Sequence, residues 1–203
     1  MKLHWSPRSP FVRKVMIAAH ELGLADRIAC VRTVVATTRP HAALMEENPL
    51  SKIPTLVLDD GTVLYDSPVI CEYLDGLHAG RRLVPADGRE RLVALRRQAL
   101  GDGFLDVLLL LRNERERAHP SQVHLSTFTT KRAAVLRALE KEAGELAATP
   151  FGIGHIAIGC ALSYLDFRFG REDWRPEHPR IAGWHREFCA RPSVRATEPV
   201  DDS

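Results

Sequence analysis

The sequence has few of the features that mark a disulfide scaffold or a metal centre. Its four cysteines, Cys30, Cys71, Cys160 and Cys189, are scattered, with no C-x-x-C pair and no metal-ligand spacing. They are expected to be reduced and mostly buried, as in a cytoplasmic protein. No long hydrophobic run exists: the longest unbroken aliphatic stretch is Val107 to Leu111, far below the roughly 20 residues that cross a bilayer, so no membrane is expected. The opening Met1-Lys2-Leu3-His4-Trp5 lacks the apolar core of a secretion signal. An excess of one charge is missing too. Lys+Arg number 28 against 26 Asp+Glu, a net +2, whereas a nucleic-acid-binding chain usually carries a basic face. Lysine is scarce, with arginine ahead by 23 to 5, a pattern of codon bias more than of a binding surface. Internal repeats and low-complexity segments are absent. What is present is ordinary for a folded protein: 45% hydrophobic and 27% charged residues argue against disorder. A chain of 203 residues has volume for one or two domains.

The first eighty or so residues alternate short apolar runs with helical patterns. Lys2 to Trp5 reads as a strand cut off by Ser6-Pro7. A helix then starts at Ser9 as N-cap with Pro10 at its first position, carries Val12, Val15, Met16 and Ala19 on one face, and stops at Gly23. Ile28 to Val35 is β-branched and reads as a strand. His41 to Glu47 is a short helix ended by Asn48-Pro49. Thr55 to Leu58 and Thr62 to Tyr65 flank Asp59-Asp60-Gly61 as a hairpin. Ser67-Pro68 opens a helix with Val69, Ile70, Tyr73, Leu74 and Leu77 on its apolar side. The order β-α-β-α-β-β-α is the layout of a thioredoxin-like domain, taken as residues 1–78. Residues 79–88 hold Gly80, Pro85 and Gly88 without any period and read as a linker. Residues 89–203 are all-helical. Leu92, Leu95, Ala99, Gly103, Val107 and Leu111 mark one helix. Val135, Leu136, Leu139, Ala143 and Leu146 mark a second, Ile156 to Phe169 a buried third, and Ile181, Trp184, His185 and Phe188 a last one.

Two stretches narrow the chemistry. Ser6-Pro7-Arg8-Ser9-Pro10-Phe11-Val12 puts a hydroxyl at a helix N-terminus straight after a strand; alone, that is an everyday helix start. Asn48-Pro49-Leu50-Ser51-Lys52-Ile53-Pro54 leads into a strand, and Pro54 there suits a cis peptide that leaves the amide and carbonyl of Ile53 outside the sheet. Asp66-Ser67 sets a carboxylate and a hydroxyl at another helix start, where capping is again the bland explanation.

Together these residues resemble the glutathione S-transferase family, nearly end to end and most closely its bacterial serine-type members. Ser9-Pro10-Phe11-Val12 stands where glutaredoxins have Cys-Pro-Tyr-Cys and where serine-type transferases carry their catalytic serine. Lys52-Ile53-Pro54 looks like the glutathione-binding loop with its cis-proline, and Asp66-Ser67 matches the pair that holds the γ-glutamyl group. Ile156 to Leu162 and Arg191-Pro192-Ser193-Val194 are similar to the buried sixth helix and the closing segment. The resemblance implies a cytoplasmic homodimer that uses glutathione, needs no metal, and detoxifies a small, mostly apolar electrophile. In that reading Ser9 activates the thiol, with Ser6 as runner-up because it does not sit at the helix start. Asp66 and Ser67 hold the γ-glutamyl amine and carboxylate, Ile53 pairs with the cysteinyl backbone, and Lys52 meets the glycyl carboxylate or is simply solvated. Phe104, Leu108 and Arg112, at i, i+4 and i+8 of the long helix, are candidates to line the electrophile pocket, with bundle core as the alternative.

The mechanism implied is thiol activation. A free thiol titrates near 8.5 and only the thiolate attacks. Lowering that value by about two units takes roughly 2.7 kcal/mol. One hydrogen bond from Ser9 to the charged sulfur supplies about 1.5–3 kcal/mol, and the helix N-terminus about 0.3–1 kcal/mol. Family members open the sixth helix with Ser or Thr followed three residues later by Asp, whereas this chain has Gly152-Ile153-Gly154-His155, which predicts a weaker start to that helix, with no catalytic part for His155. The stretch 147–151 is short for the family, so the fifth helix is expected to end early. Disulfide reduction is disfavoured, because positions 9 and 12 are Ser and Val. So is isomerase chemistry of the Zeta type, whose Ser-Ser-Cys run is missing. A catalytically weak protein that keeps glutathione binding and serves as an interaction module is the competing function.

Overall fold

Four short segments of the N-terminal half make one sheet: β1 (Lys2–Trp5), β2 (Ala29–Arg32), β3 (Thr55–Val57) and β4 (Val63–Leu64), in the order β2-β1-β3-β4. β2 runs parallel to β1, and β1–β3 and β3–β4 are antiparallel. The computed structural model that shows this describes residues 1–77, 80 and 82–202. Helices α1 (Pro10–Glu21), α2 (Ala42–Met45) and α3 (Ser67–Gly76) complete the order β-α-β-α-β-β-α, the thioredoxin-like arrangement. α1 starts as its sequence dictates. Ser9 is the N-cap and its hydroxyl accepts from the Val12 amide at 3.3 Å, while Gly23 takes φ +67° past the last turn. Val12, Val15 and Ala19 are buried as expected, but Ile17 and Ala18 join them and Met16 does not. The expected strand 28–35 is shorter, since after Arg32 only the Thr33 amide still reaches β1, through the Trp5 carbonyl at 2.8 Å.

The polypeptide divides into two compact units, Met1–Ala86 with Pro192–Ser203, and Asp87–Arg191. In the stretch read as a linker, His78, Ala79 and Arg81 lie outside the described residues. Leu83 and Val84 are buried, and their amides donate to the two carboxylate oxygens of Asp75 on α3 at 2.6 and 3.3 Å. That part of the stretch therefore packs with the first unit. The closing residues do the same. In α8 (Pro192–Arg195) Val194 is buried, its carbonyl accepts from Arg13 at 3.3 Å, and the Ser193 hydroxyl donates to Glu21. None of the cysteines is in a disulfide. Cys71 and Cys160 are buried, Cys189 is half-buried, and Cys30 is exposed on β2, so burial holds for fewer of them than expected.

The second unit consists of α4 (Gly88–Arg115), α5 (Gln122–Ala148), α6 (Ile153–Phe169) and α7 (Pro179–Ala190). α6 is buried along almost its whole length, and α7 buries Ile181, Trp184, His185 and Phe188 as its spacing predicts. Of the residues expected to mark the packing face of α4, Leu111 is buried and the others are not. Leu92 is exposed and Gly103 faces open space. The buried set is Arg97, Gln98, Gly101, Phe104, Leu105, Leu108, Leu111 and Glu114. Gly101 explains the shift: a Cβ there would stand 2.5 Å from the Ala157 carbonyl carbon, so α4 and α6 touch backbone to backbone at this point.

Two polar devices secure this unit. The His155 Nδ1 accepts from the Gly152 amide at 3.2 Å and its Nε2 donates to the Leu146 carbonyl at 2.9 Å. His155 thus takes the acceptor role of the missing aspartate and ties the α6 start to the end of α5, so the expected weakness of that helix start is made good. Tautomer and neutrality follow from this hydrogen-bond pattern. Buried Arg97 donates to Glu142 at 2.6 Å and to Thr149 at 2.8 Å. Burial pushes the Glu142 carboxyl up, but Arg96 and Arg97 outweigh it and hold it below the ordinary carboxylate range. A carboxyl lowered on folding stabilises the protein above its unfolded value, about 4.3, and that gain is lost as pH falls through the folded value. Glu142→Gln is therefore expected to cost about 2 kcal/mol at pH 7 by stranding part of a buried charge. It is also expected to flatten the acid side of the melting-temperature profile, which thermal melts across pH would check.

Candidate functional site

The sheet register brings three loops to one edge. β1 runs outward to Trp5 beside the start of β3, because His4 pairs with Thr55. β4 returns to the same edge, because Leu64 pairs with Leu56. Ser6–Ser9, Lys52–Pro54 and Tyr65–Ser67 therefore share the end of the sheet where the parallel strands terminate, the usual ligand edge of such folds. The N-termini of α1 and α3 begin there as well, and each contributes partial positive charge.

Ser9 is half-buried at the α1 N-cap. Its oxygen accepts from Val12, and its hydroxyl proton is donated to no other described residue. Capping and donation are compatible in one hydroxyl. Ser6 is buried, its carbonyl accepts from the Ser9 amide at 3.2 Å and its hydroxyl oxygen from the Arg8 amide at 3.4 Å. Ser6 thus shapes the turn that carries Ser9.

The Ile53–Pro54 peptide is cis, and β3 begins only at Thr55. The amide and carbonyl of Ile53 bond to no other described residue, leaving a donor and an acceptor beside the sheet. Lys52 is exposed. Sequence reasoning missed what braces this loop. Asn48, fully buried, donates to the Lys52 carbonyl at 3.1 Å and to the Thr55 hydroxyl at 2.9 Å, and accepts from the Leu50 amide at 3.0 Å. The Thr55 hydroxyl donates to the Lys52 carbonyl at 2.8 Å. The Asn48-Pro49 pair was legible only as a helix stop; a polar residue seven positions before a buried strand threonine was the available signal.

Asp66 is the N-cap residue of α3, exposed, and its side chain makes no capping bond. Ser67 follows, buried. The bland explanation of this pair, capping, thus fails for the carboxylate, which faces solvent beside two orphan helix amides.

Phe104 and Leu108, candidates for the electrophile pocket with bundle core as the alternative, are 1% and 0% exposed and lie on the face of α4 that carries Gly101. Arg112 is half-exposed and its guanidinium grips Glu116 through two bonds of 2.8 and 3.2 Å, with Tyr164 at 3.5 Å. Among the described residues no group of three His, Cys, Asp or Glu side chains is placed to hold a metal ion, and no helix is long and apolar enough to cross a membrane.

The family model described as glutathione S-transferase, N-terminal domain, matches residues 8–77, and the C-terminal domain model matches residues 114–187. The Escherichia coli (strain K12) protein YibF, described as an uncharacterized GST-like protein, is 31% identical over 208 residues, covering 98% of each chain. A glutathione transferase family member from Pseudomonas fluorescens Pf-5, solved with bound glutathione, is 43% identical with a TM-score of 0.94, covering 98% of both chains. A structure of a family member from the same source with bound S-(propanoic acid)-glutathione is 41% identical with a TM-score of 0.90, covering 98% of this chain and 99% of that one.

Proposed function

This chain belongs to the glutathione S-transferase family, and we propose that it is an active transferase in which Ser9 turns glutathione into a thiolate. The observation that carries the reading is one edge with three vacant functions: the Ser9 hydroxyl proton, the unpaired Ile53 backbone and the uncapped Asp66 carboxylate. Glutathione has a partner for each. Its sulfur accepts from Ser9 at the α1 N-terminus, and its cysteinyl backbone pairs with Ile53 across the cis-proline. Asp66 holds the γ-glutamyl amine, Ser67 the γ-glutamyl carboxylate, and Lys52 the glycyl carboxylate. Binding releases the thiol proton to solvent. The sulfur lone pair then forms a C–S bond to the electrophile, and a halide or similar group departs with its bonding pair. No general base is needed, since the hydrogen bond and helix field together match the roughly 2.7 kcal/mol required.

The electrophile is small. The Pseudomonas relative that holds S-(propanoic acid)-glutathione supports a class wider than apolar compounds, one that includes acid-bearing electrophiles. The protein works as a cytoplasmic homodimer on this reading. The test is the ultraviolet thiolate band of bound glutathione, titrated against pH. A bound thiol titrating well below free glutathione upholds the transferase. Glutathione bound with its thiol unshifted identifies an interaction module instead, and no binding overturns both.

A further inference from the structure

The closing segment carries two carboxylates back to the edge where Ser9 lies. Asp202 accepts from Arg32 through Nε and Nη2, both at 2.7 Å, and from Arg8 Nε at 3.0 Å. Asp201 lies 3.8 Å from Arg8. Arg8 is the residue before Ser9. Arg32 ends β2 directly beside Trp5, the last residue of β1, so both guanidinia stand at the carboxyl ends of the parallel strand pair. No other carboxylate among the described residues bonds to either arginine. The scaffold of the first unit thus presents two cations and leaves their neutralisation to a segment that follows in sequence more than 160 positions later. Neither arginine is fully buried, with 27% and 33% of their side chains exposed, so their partners exchange with solvent ions.

We propose that Arg8 and Arg32 form a carboxylate-binding subsite next to the thiol, occupied in this structure by Asp202 as a tethered stand-in, and that its ligand is the carboxylate of an acid-bearing electrophile. This rests on the transferase reading above. The carboxylates of glutathione already have Ser67 and Lys52, so the spare subsite falls to the second substrate. Planar guanidinium forks suit a carboxylate. Asp201 and Asp202 then act as an intramolecular competitor at an effective concentration on the order of millimolar, which admits acidic substrates and keeps the arginines neutralised otherwise.

The experiment compares 4-chloro-3,5-dinitrobenzoate with its uncharged amide as electrophiles. In both, the thiolate sulfur bonds to the chlorinated carbon and chloride leaves with the electron pair. The readout is the ratio of kcat/KM for acid over amide. It is expected to rise about threefold to fivefold in D201N/D202N and to fall about tenfold in Arg32→Gln. Arg32→Lys, which keeps the charge and gives up the fork, falls in between. An unchanged ratio in all three variants overturns the proposal. So does an Arg32→Gln effect confined to the KM of glutathione, because the subsite then serves the tripeptide. Where wild-type protein conjugates neither compound, the thiolate titration still decides the transferase reading, and calorimetric binding of 4-nitrobenzoate decides the subsite separately. Tighter binding in D201N/D202N and weaker binding in Arg32→Gln sustain it, and equal affinities sink it.

Discussion

Ser9→Ala is expected to raise the titration point of bound glutathione by about one to two units, the loss of a hydrogen bond to a charged sulfur worth about 1.5–3 kcal/mol. At neutral pH that lowers kcat/KM for a model aryl halide about 10- to 100-fold. The substitution also removes the N-cap of α1, at a cost of about 1 kcal/mol in stability, so activity alone cannot assign the role. Ser9→Thr keeps both functions and is expected to retain most of the shift. Ser9→Asp keeps the capping acceptor but has no proton to give and sets a like charge beside the thiolate, so the bound thiol should titrate at least as high as in Ser9→Ala. Ser6→Ala supplies the contrast. If it lifts the thiol value and Ser9→Ala does not, the assignment moves to Ser6.

The largest stability effect is expected from one methyl group. Gly101→Ala would put a Cβ 2.5 Å from the Ala157 carbonyl carbon and 2.7 Å from the Ile158 nitrogen. Both are backbone atoms, so relief requires α4 and α6 to move apart along their shared face. Overpacking of this kind costs about 1–3 kcal/mol and more where backbone must shift, against a gain of about 0.5–1 kcal/mol for alanine over glycine in a helix. A net loss of about 2–3 kcal/mol is expected. Gly103→Ala, two residues on, meets nothing within 4 Å and should stabilise by about 0.5–1 kcal/mol. Denaturant titrations of the helical circular-dichroism signal measure both. Equal effects at the two positions would refute the close backbone contact.

Local signals in the sequence were legible where a residue acts on its own neighbours. Ser9 with Pro10 starts α1 and Gly23 ends it; Gly61, at φ +85°, turns the hairpin. The all-apolar run of α6 and the spacing of Ile181, Trp184, His185 and Phe188 marked their buried faces correctly. The apolar spacing of α4 marks Leu111 but not the rest of its buried face, because that face includes Arg97, Gln98 and Gly101, residues that a count of apolar positions gives no credit. The same blindness hid Asn48, whose value lies in two side-chain hydrogen bonds to a loop and a strand it does not adjoin. His155 read as a missing aspartate because a ring nitrogen accepting from an amide looks nothing like a carboxylate in one-letter code. The family motifs named the edge where Ser9, Ile53 and Asp66 meet. They were silent on Arg8 and Arg32, whose meaning depends on where the chain returns.

That return has a consequence for biosynthesis. The bond from Arg13 to the Val194 carbonyl closes a sequence separation of 181 residues. A ribosome adding about 5–20 residues per second delivers Val194 roughly 10–40 s after Arg13. For that interval the sheet and α1 exist without the segment that buries against them, while the whole of the helical unit is being made. The thioredoxin-like unit is begun before the helical unit and finished after it.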